Sequence, residues 1–282
     1  MGIVPLLIAL MQKSGKHGKF AYSFTGDSQL FGDPEGDFEL WLYSTGGLAF
    51  PGNLYTGTFD VCCVGGGGAG GSGATSDSGA LLGGGGGGAS GEVVSLFDHD
   101  LFKYDTLKAT PGSGGGNAGG NGERGGSGSS TELLKGNYSA ANIILQAQGG
   151  RGGSAPTDAN TGGAGGTGTS YSQEGGNGGN ASASGDVYSA SGTFRPRPAA
   201  YPFGIDGYTL NGLKFGYSGG GGAGIYYDSS KGEWVAGTGQ RTVGTKQNGC
   251  GTGGAGANAT HSTNLWNPED GYGGCVIIRN HR

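Results

Sequence analysis

The sequence predicts an all-β protein, an antiparallel β-sandwich base carrying a glycine-rich bundle of polyglycine-II helices. Three observations predict it. Short apolar and aromatic runs bounded by Gly, Ser and Asp recur along the chain, whereas helical periodicity is almost absent. Glycine supplies 72 of the 282 residues. Much of it falls in runs with a three-residue period, at 65–72, 149–154, 162–167 and 175–180. Three is the period of neither an α-helix nor a strand. It is the repeat of the left-handed polyproline-II helix, which rises ~3.1 Å per residue and has no internal hydrogen bonds.

Such a helix projects its N–H and C=O groups sideways. With glycine on two of its three faces, neighbouring copies can approach to backbone distance and bond laterally. The third-position residues Ala69, Ser72, Arg151, Ala164, Thr167 and Asn177 are expected to point outward. The competing reading of the same composition is a flexible glycine linker. Ordering a residue costs about 1–2 kcal/mol, and a hydrogen bond returns a net ~0.5–1.5. A bundle therefore holds only if nearly every backbone group is paired and the rods are anchored to a conventional core.

From the N-terminus, residues 1–35 are read as a docking segment and 36–282 as the glycine-rich domain. The apolar stretch 3–11 is too short to cross a bilayer and contains Pro5. It lacks the flanks of a secretory signal. It is expected to dock on a partner, on a second copy or on its own domain. Asp33, Glu35 and Asp37 surround Pro34 and Gly36 as turn residues. Residues 38–43 form a strand expected to make a hairpin with 48–50 through the turn 44–47. The strand 58–64 runs straight into the first glycine rod, with Cys62 and Cys63 on opposite faces.

Further strands are expected at 92–97, 102–109, 142–148, 208–215, 225–227, 233–236 and 275–279. Residues 60–64 and 275–279, at the two ends of the glycine region, should pair and close the domain. Asp98-His99-Asp100 reads as a solvated turn in preference to a metal site.

Composition narrows the function. Leu, Ile, Val and Phe number only 47, but a net charge of −5 is too small to keep the chain expanded. The acidic balance and scattered basic residues argue against nucleic-acid binding. Cys62, Cys63, Cys250 and Cys275 have no CxxC spacing, so buried free thiols are favoured over a disulfide and zinc is disfavoured. With this much glycine, Gly-x-Gly-x-x-Gly matches carry no information, and no Lys-Ser/Thr follows a run as a nucleotide loop needs. No catalytic group, cofactor or metal is expected, and the chain is read as a non-enzyme.

What remains is recognition. The longest glycine-poor stretch in the rod region, 186–209, holds Tyr188, Phe194, Arg195, Arg197, Tyr201 and Phe203 among rigidifying prolines. Aromatics and Arg are enriched where binding energy concentrates, and Pro lowers the ordering cost. The alternative is a loop that covers the base or enters a subunit interface. Tyr226, Tyr227 and Trp234 form a second candidate.

The entry 59–71 (FDVCCVGGGGAGG), the stretch 249–256 (GCGTGGAG) and the exit 270–279 (DGYGGCVIIR) resemble the glycine-rich domains of bacteriophage tail-fibre and tail-tip proteins. The resemblance covers about residues 36–282. It implies loops that contact a host-surface protein or glycan from a polyglycine-II bundle in the virion tail. The nine residues above would then be receptor-binding, and other tail or virion proteins would be partners. A homotrimer is the habit of such fibres. The alternative is a structural assembly protein of the virion that touches no receptor. A third possibility is an extracellular cytokine-binding receptor fragment.

Overall fold

The computed structural model describes residues 18–73, 81–117, 119, 122–136, 139–156, 163–168, 225–228, 233–236, 250–251, 253–254, 256–257 and 268–281. These are almost entirely β and extended chain, with one 3-10 turn at Ala140–Asn142. All strand pairs are antiparallel.

One five-stranded sheet runs in the order β1 (Ser23–Phe24), β4 (Gly46–Ala49), β8 (Leu107–Thr110), β9 (Thr131–Lys135), β10 (Ile143–Ala147). The other runs β2 (Ser28–Gly32), β3 (Phe38–Leu42), β13 (Cys275–Asn280), β5 (Phe59–Val64), β7 (Val93–His99). A three-stranded sheet joins β12 (Glu233–Ala236), β11 (Ile225–Asp228) and β6 (Leu81–Leu82).

The two five-stranded sheets share one core. Phe38, Leu40 and Leu42 of β3 and Val61 and Cys63 of β5 meet Leu48, Leu107, Ala109 and Leu133 of the opposite sheet. Because strand side chains alternate faces, the residues in between supply a second core on the far side of the same sheet. There Trp41, Cys62, Val64, Cys275 and Ile277 cluster with Cys250.

The closing pair forms as the sequence predicts: β13 lies against β5 from Cys275↔Val64 to Asn280↔Phe59. The turn at 33–37 also forms, with Asp33 accepting from the amides of Glu35 and Gly36. The hairpin between 38–43 and 48–50 does not form. β3 is buried at every position, so it takes an interior place between β2 and β13. β4 alternates buried and exposed, suits a sheet with one wet face, and crosses to the other sheet between β1 and β8.

Two boundaries also differ. The strand expected to end at Phe97 continues to His99, with Asp98 at φ 51°. The strand expected over 102–109 is confined to Leu107–Thr110, after a turn in which Phe102 N donates to Asp100 Oδ1. The strands β1, β2, β6 and β9 were not anticipated. The expected strand 208–215 lies outside the described residues.

The glycine segments leave β5 as extended threads bonded sideways. Along 65–72 the partner changes with every residue and returns after three. Gly65, Gly68 and Gly71 donate to the carbonyls of Glu92, Ala89 and Gly86 at 2.8–2.9 Å. Gly66, Ala69 and Ser72 donate to Ser129, Gly126 and Glu123 at 2.9–3.1 Å. Gly67 and Gly70 donate to Tyr272 and Glu269 at 2.8 and 3.0 Å.

Partner numbers fall as the thread advances, so all three donor-side neighbours run antiparallel to it. Its carbonyls accept from three further neighbours: Gly66 and Ala69 from Gly150 and Gly153, Gly67 from Gly115, and Gly68 and Gly71 from Gly254 and Ala257. One thread is thus surrounded by six. Ala69 and Ser72 are consequently buried, against the expectation that they point outward. Arg151, on a surrounding thread, and Ala164 and Thr167, on a thread farther out that bonds to 84–87, are exposed as expected. Asn177 and the run 175–180 lie outside the described residues.

Glycine is obligatory at this spacing. A Cβ at Gly65, Gly66 or Gly68 would sit 2.0–2.2 Å from the carbonyl oxygen of Gln148, Ser113 or Arg151. All three obstacles are backbone, which has no rotamer to yield.

Candidate functional site

The sequence-predicted binding residues divide in two. Tyr188, Phe194, Arg195, Arg197, Tyr201 and Phe203 lie outside the described residues. Tyr226 and Tyr227 fall in β11 and Trp234 in β12, where the register sets Tyr227 opposite Trp234 and Tyr226 opposite Val235. On its other side β11 pairs with β6, Ile225 opposite Leu82 and Tyr226 opposite Leu81.

The described residues hold a pocket of 420 Å³ that sequence reasoning missed. It opens between the segment 48–55, which leaves β4, and the turn 101–106, which enters β8. Phe50, Tyr55, Phe102 and Tyr104 supply the aromatic lining, and Asn53 and Asp105 the polar part. The two segments are far apart in sequence and meet because β4 and β8 are paired, Leu48 against Leu107. No local periodicity marks such a meeting.

The aromatic floor is fixed from below by the fully buried Phe59. Its ring lies 5.1 Å from Phe102, 5.2 Å from Tyr55 and 5.9 Å from Phe50, and Phe50 meets Phe102 edge-on at 5.1 Å. Polar bonds hold the rim. Asn53 Oδ1 accepts from Ala21 N at 3.1 Å, while its Nδ2 donates to Tyr55 O at 2.8 Å. Tyr55 OH donates to Thr58 O at 3.0 Å. Burial, then the nearby Asp60 carboxylate, raises the Tyr55 phenol above its ordinary pKa and keeps that donor protonated.

Tyr104 OH is 3.1 Å from His99 Nε2, and Lys103 Nζ stands 5.1 Å from the Tyr104 ring centroid. Burial and Lys103 hold His99 below its ordinary pKa, with Asp100 opposing.

A second polar group ties the chain end to the sheet. Asp60 is 3.3 Å from Arg279 and 2.6 Å from His281 Nδ1, and accepts from Asp98 N at 3.2 Å. It is a staple between β5, β7 and β13. Asp98 and His99 thus belong to this sheet edge. Among the described residues no group of three or more His, Cys, Asp or Glu could hold a metal ion, and no helix is long and apolar enough to cross a membrane.

Cys62, Cys63, Cys250 and Cys275 are all buried free thiols, the state the sequence favoured. Burial raises the thiols of Cys63 and Cys275 well above the ordinary range.

Compared with known proteins, residues 45–281 match a family model described as a glycine-rich domain. No curated protein matches the chain.

Proposed function

The chain belongs to the glycine-rich domain family, and from that premise we propose that it is a phage tail-fibre or tail-tip protein. In this reading it is a receptor-binding adhesin whose β-sandwich base and polyglycine-II bundle hold loops against the host surface. The observation that carries the reading is the threefold rotation of hydrogen-bond partners along 65–72. Laterally bonded threads resist bending, because any displacement stretches many bonds of 2.8–3.1 Å at once. Stiffness of this kind lets loops vary without a large apolar core.

The residues that would make contact are Tyr188, Phe194, Arg195, Arg197, Tyr201 and Phe203, with Tyr226, Tyr227 and Trp234 as a second group. The partners are a host-surface protein or glycan and other tail or virion proteins, and the chain acts without cofactor or catalysis, in the virion tail. The test is attachment of the purified chain to cells from a panel of bacterial species. Changing Arg195, Arg197 and Tyr201 to Ala should abolish attachment with the melting temperature unchanged. Loss of oligomer assembly with the same changes, and no attachment by the unchanged chain, would instead favour a structural role in the virion.

A further inference from the structure

We propose that the pocket between segments 48–55 and 101–106 is a saccharide subsite that takes one neutral hexopyranose ring. Its volume of 420 Å³ lies within the ~300–1,000 Å³ of small-ligand sites. A pyranose ring presents C–H groups on its faces and hydroxyls on its edge. The pocket has a matching division.

Phe50 and Phe102 are only partly buried, yet their positions are fixed by packing on each other and on Phe59, so their open sides are available at little ordering cost. The negative face of an aromatic ring attracts C–H hydrogens. Asp105 is exposed at the rim and offers an acceptor for hydroxyl hydrogens, a charge-assisted bond. Asn53 has one N–H and one lone pair beyond the bonds that anchor it. Tyr104 OH adds a further hydroxyl, oriented by His99.

Other ligand classes fit less well. No Arg or Lys lines the pocket, and the nearby Lys103 is engaged over the Tyr104 ring, so phosphate and anionic sugars meet the Asp105 carboxylate with no cation in the lining. An acyl chain would desolvate the Asp105 carboxylate and the remaining N–H and lone pair of Asn53 without replacing their water. The source of the saccharide, a host-surface glycan, rests on the attachment reading above. The chemistry of the pocket does not.

The experiment is saturation-transfer NMR on the full chain with three probes at millimolar concentration: methyl β-glucopyranoside, methyl β-galactopyranoside and N-acetylglucosamine. N-acetylneuraminic acid serves as the anionic comparison. At least one neutral probe should receive saturation through its ring C–H protons, and the anionic sugar should receive less. Phe102→Ala should weaken binding about 3- to 10-fold, and Asp105→Asn, an exposed substitution that leaves the fold intact, should do so as well.

No transfer to any neutral probe overturns the subsite, as does transfer that survives both variants. Cell attachment without sugar transfer would sink the subsite and leave the attachment reading standing. Sugar transfer without cell attachment would do the reverse.

Discussion

Replacing Gly68 by Ala tests whether lateral backbone contact holds the glycine threads together. The new Cβ would lie 2.2 Å from Arg151 O and 2.3 Å from Arg151 C, whereas ordinary contact begins at 3.4 Å. The threads 65–72 and 149–154 must therefore part by about 1.2 Å. Two bonds join them there, Gly150 N to Gly66 O at 2.8 Å and Gly153 N to Ala69 O at 2.9 Å. Parting would stretch both to about 4 Å, past the limit of a hydrogen bond.

Each buried group left without a partner costs about 1–3 kcal/mol, and two broken bonds leave two donors and two acceptors, so the loss is about 4–12 kcal/mol. That is a large share of the ~5–15 kcal/mol by which a domain is stable. Gly116 is the control, because a Cβ there meets nothing within 4 Å. Gly116→Ala should be neutral, or stabilising by about 0.4–1 kcal/mol through the unfolded state. Urea unfolding followed by tryptophan fluorescence reads both. If Gly68→Ala unfolds at the same midpoint as Gly116→Ala, the threads are not held at backbone distance and do not form a rigid scaffold.

Other outcomes follow from single side chains. Thr131 is fully buried where strand gives way to thread; its Oγ1 donates to Val64 O at 2.6 Å and accepts from Gly112 N at 2.8 Å. Thr131→Val should cost about 1–3 kcal/mol and speed amide exchange at Gly112. Because all four cysteines are buried and free, a thiol reagent should find essentially none in the native protein and four in denaturant. His99 is held below its ordinary pKa by burial and Lys103, so on acidification the unfolded chain takes up the proton first. Its contribution to stability is complete above pH about 6.5 and is lost as pH falls through the folded-state value. The melting temperature should decline across that window, and His99→Gln should remove that part of the slope.

The three-residue glycine period, the strands flanking it and the closing pair of β5 with β13 were legible from residue order, because each is written in local spacing or in apolar runs at the two ends. Free thiols were legible too, from cysteines without metal-site spacing. The separation of β3 from β4 was not, since a short Gly-containing turn suits a hairpin and a crossover alike. Burial on both faces of Phe38–Leu42 decided between them. Nor does the glycine pattern say which thread lies at the centre; that depends on all six neighbours arriving, and it turned Ala69 and Ser72 inward. The pocket is the clearest case, because Phe50 and Phe102 share no local pattern and meet only through the β4–β8 pairing. By itself the sequence determined a repeat that only close-packed glycine can satisfy. Tertiary structure decided which side chains that packing leaves within reach of a ligand, because contacts between distant segments depend on how the whole chain closes.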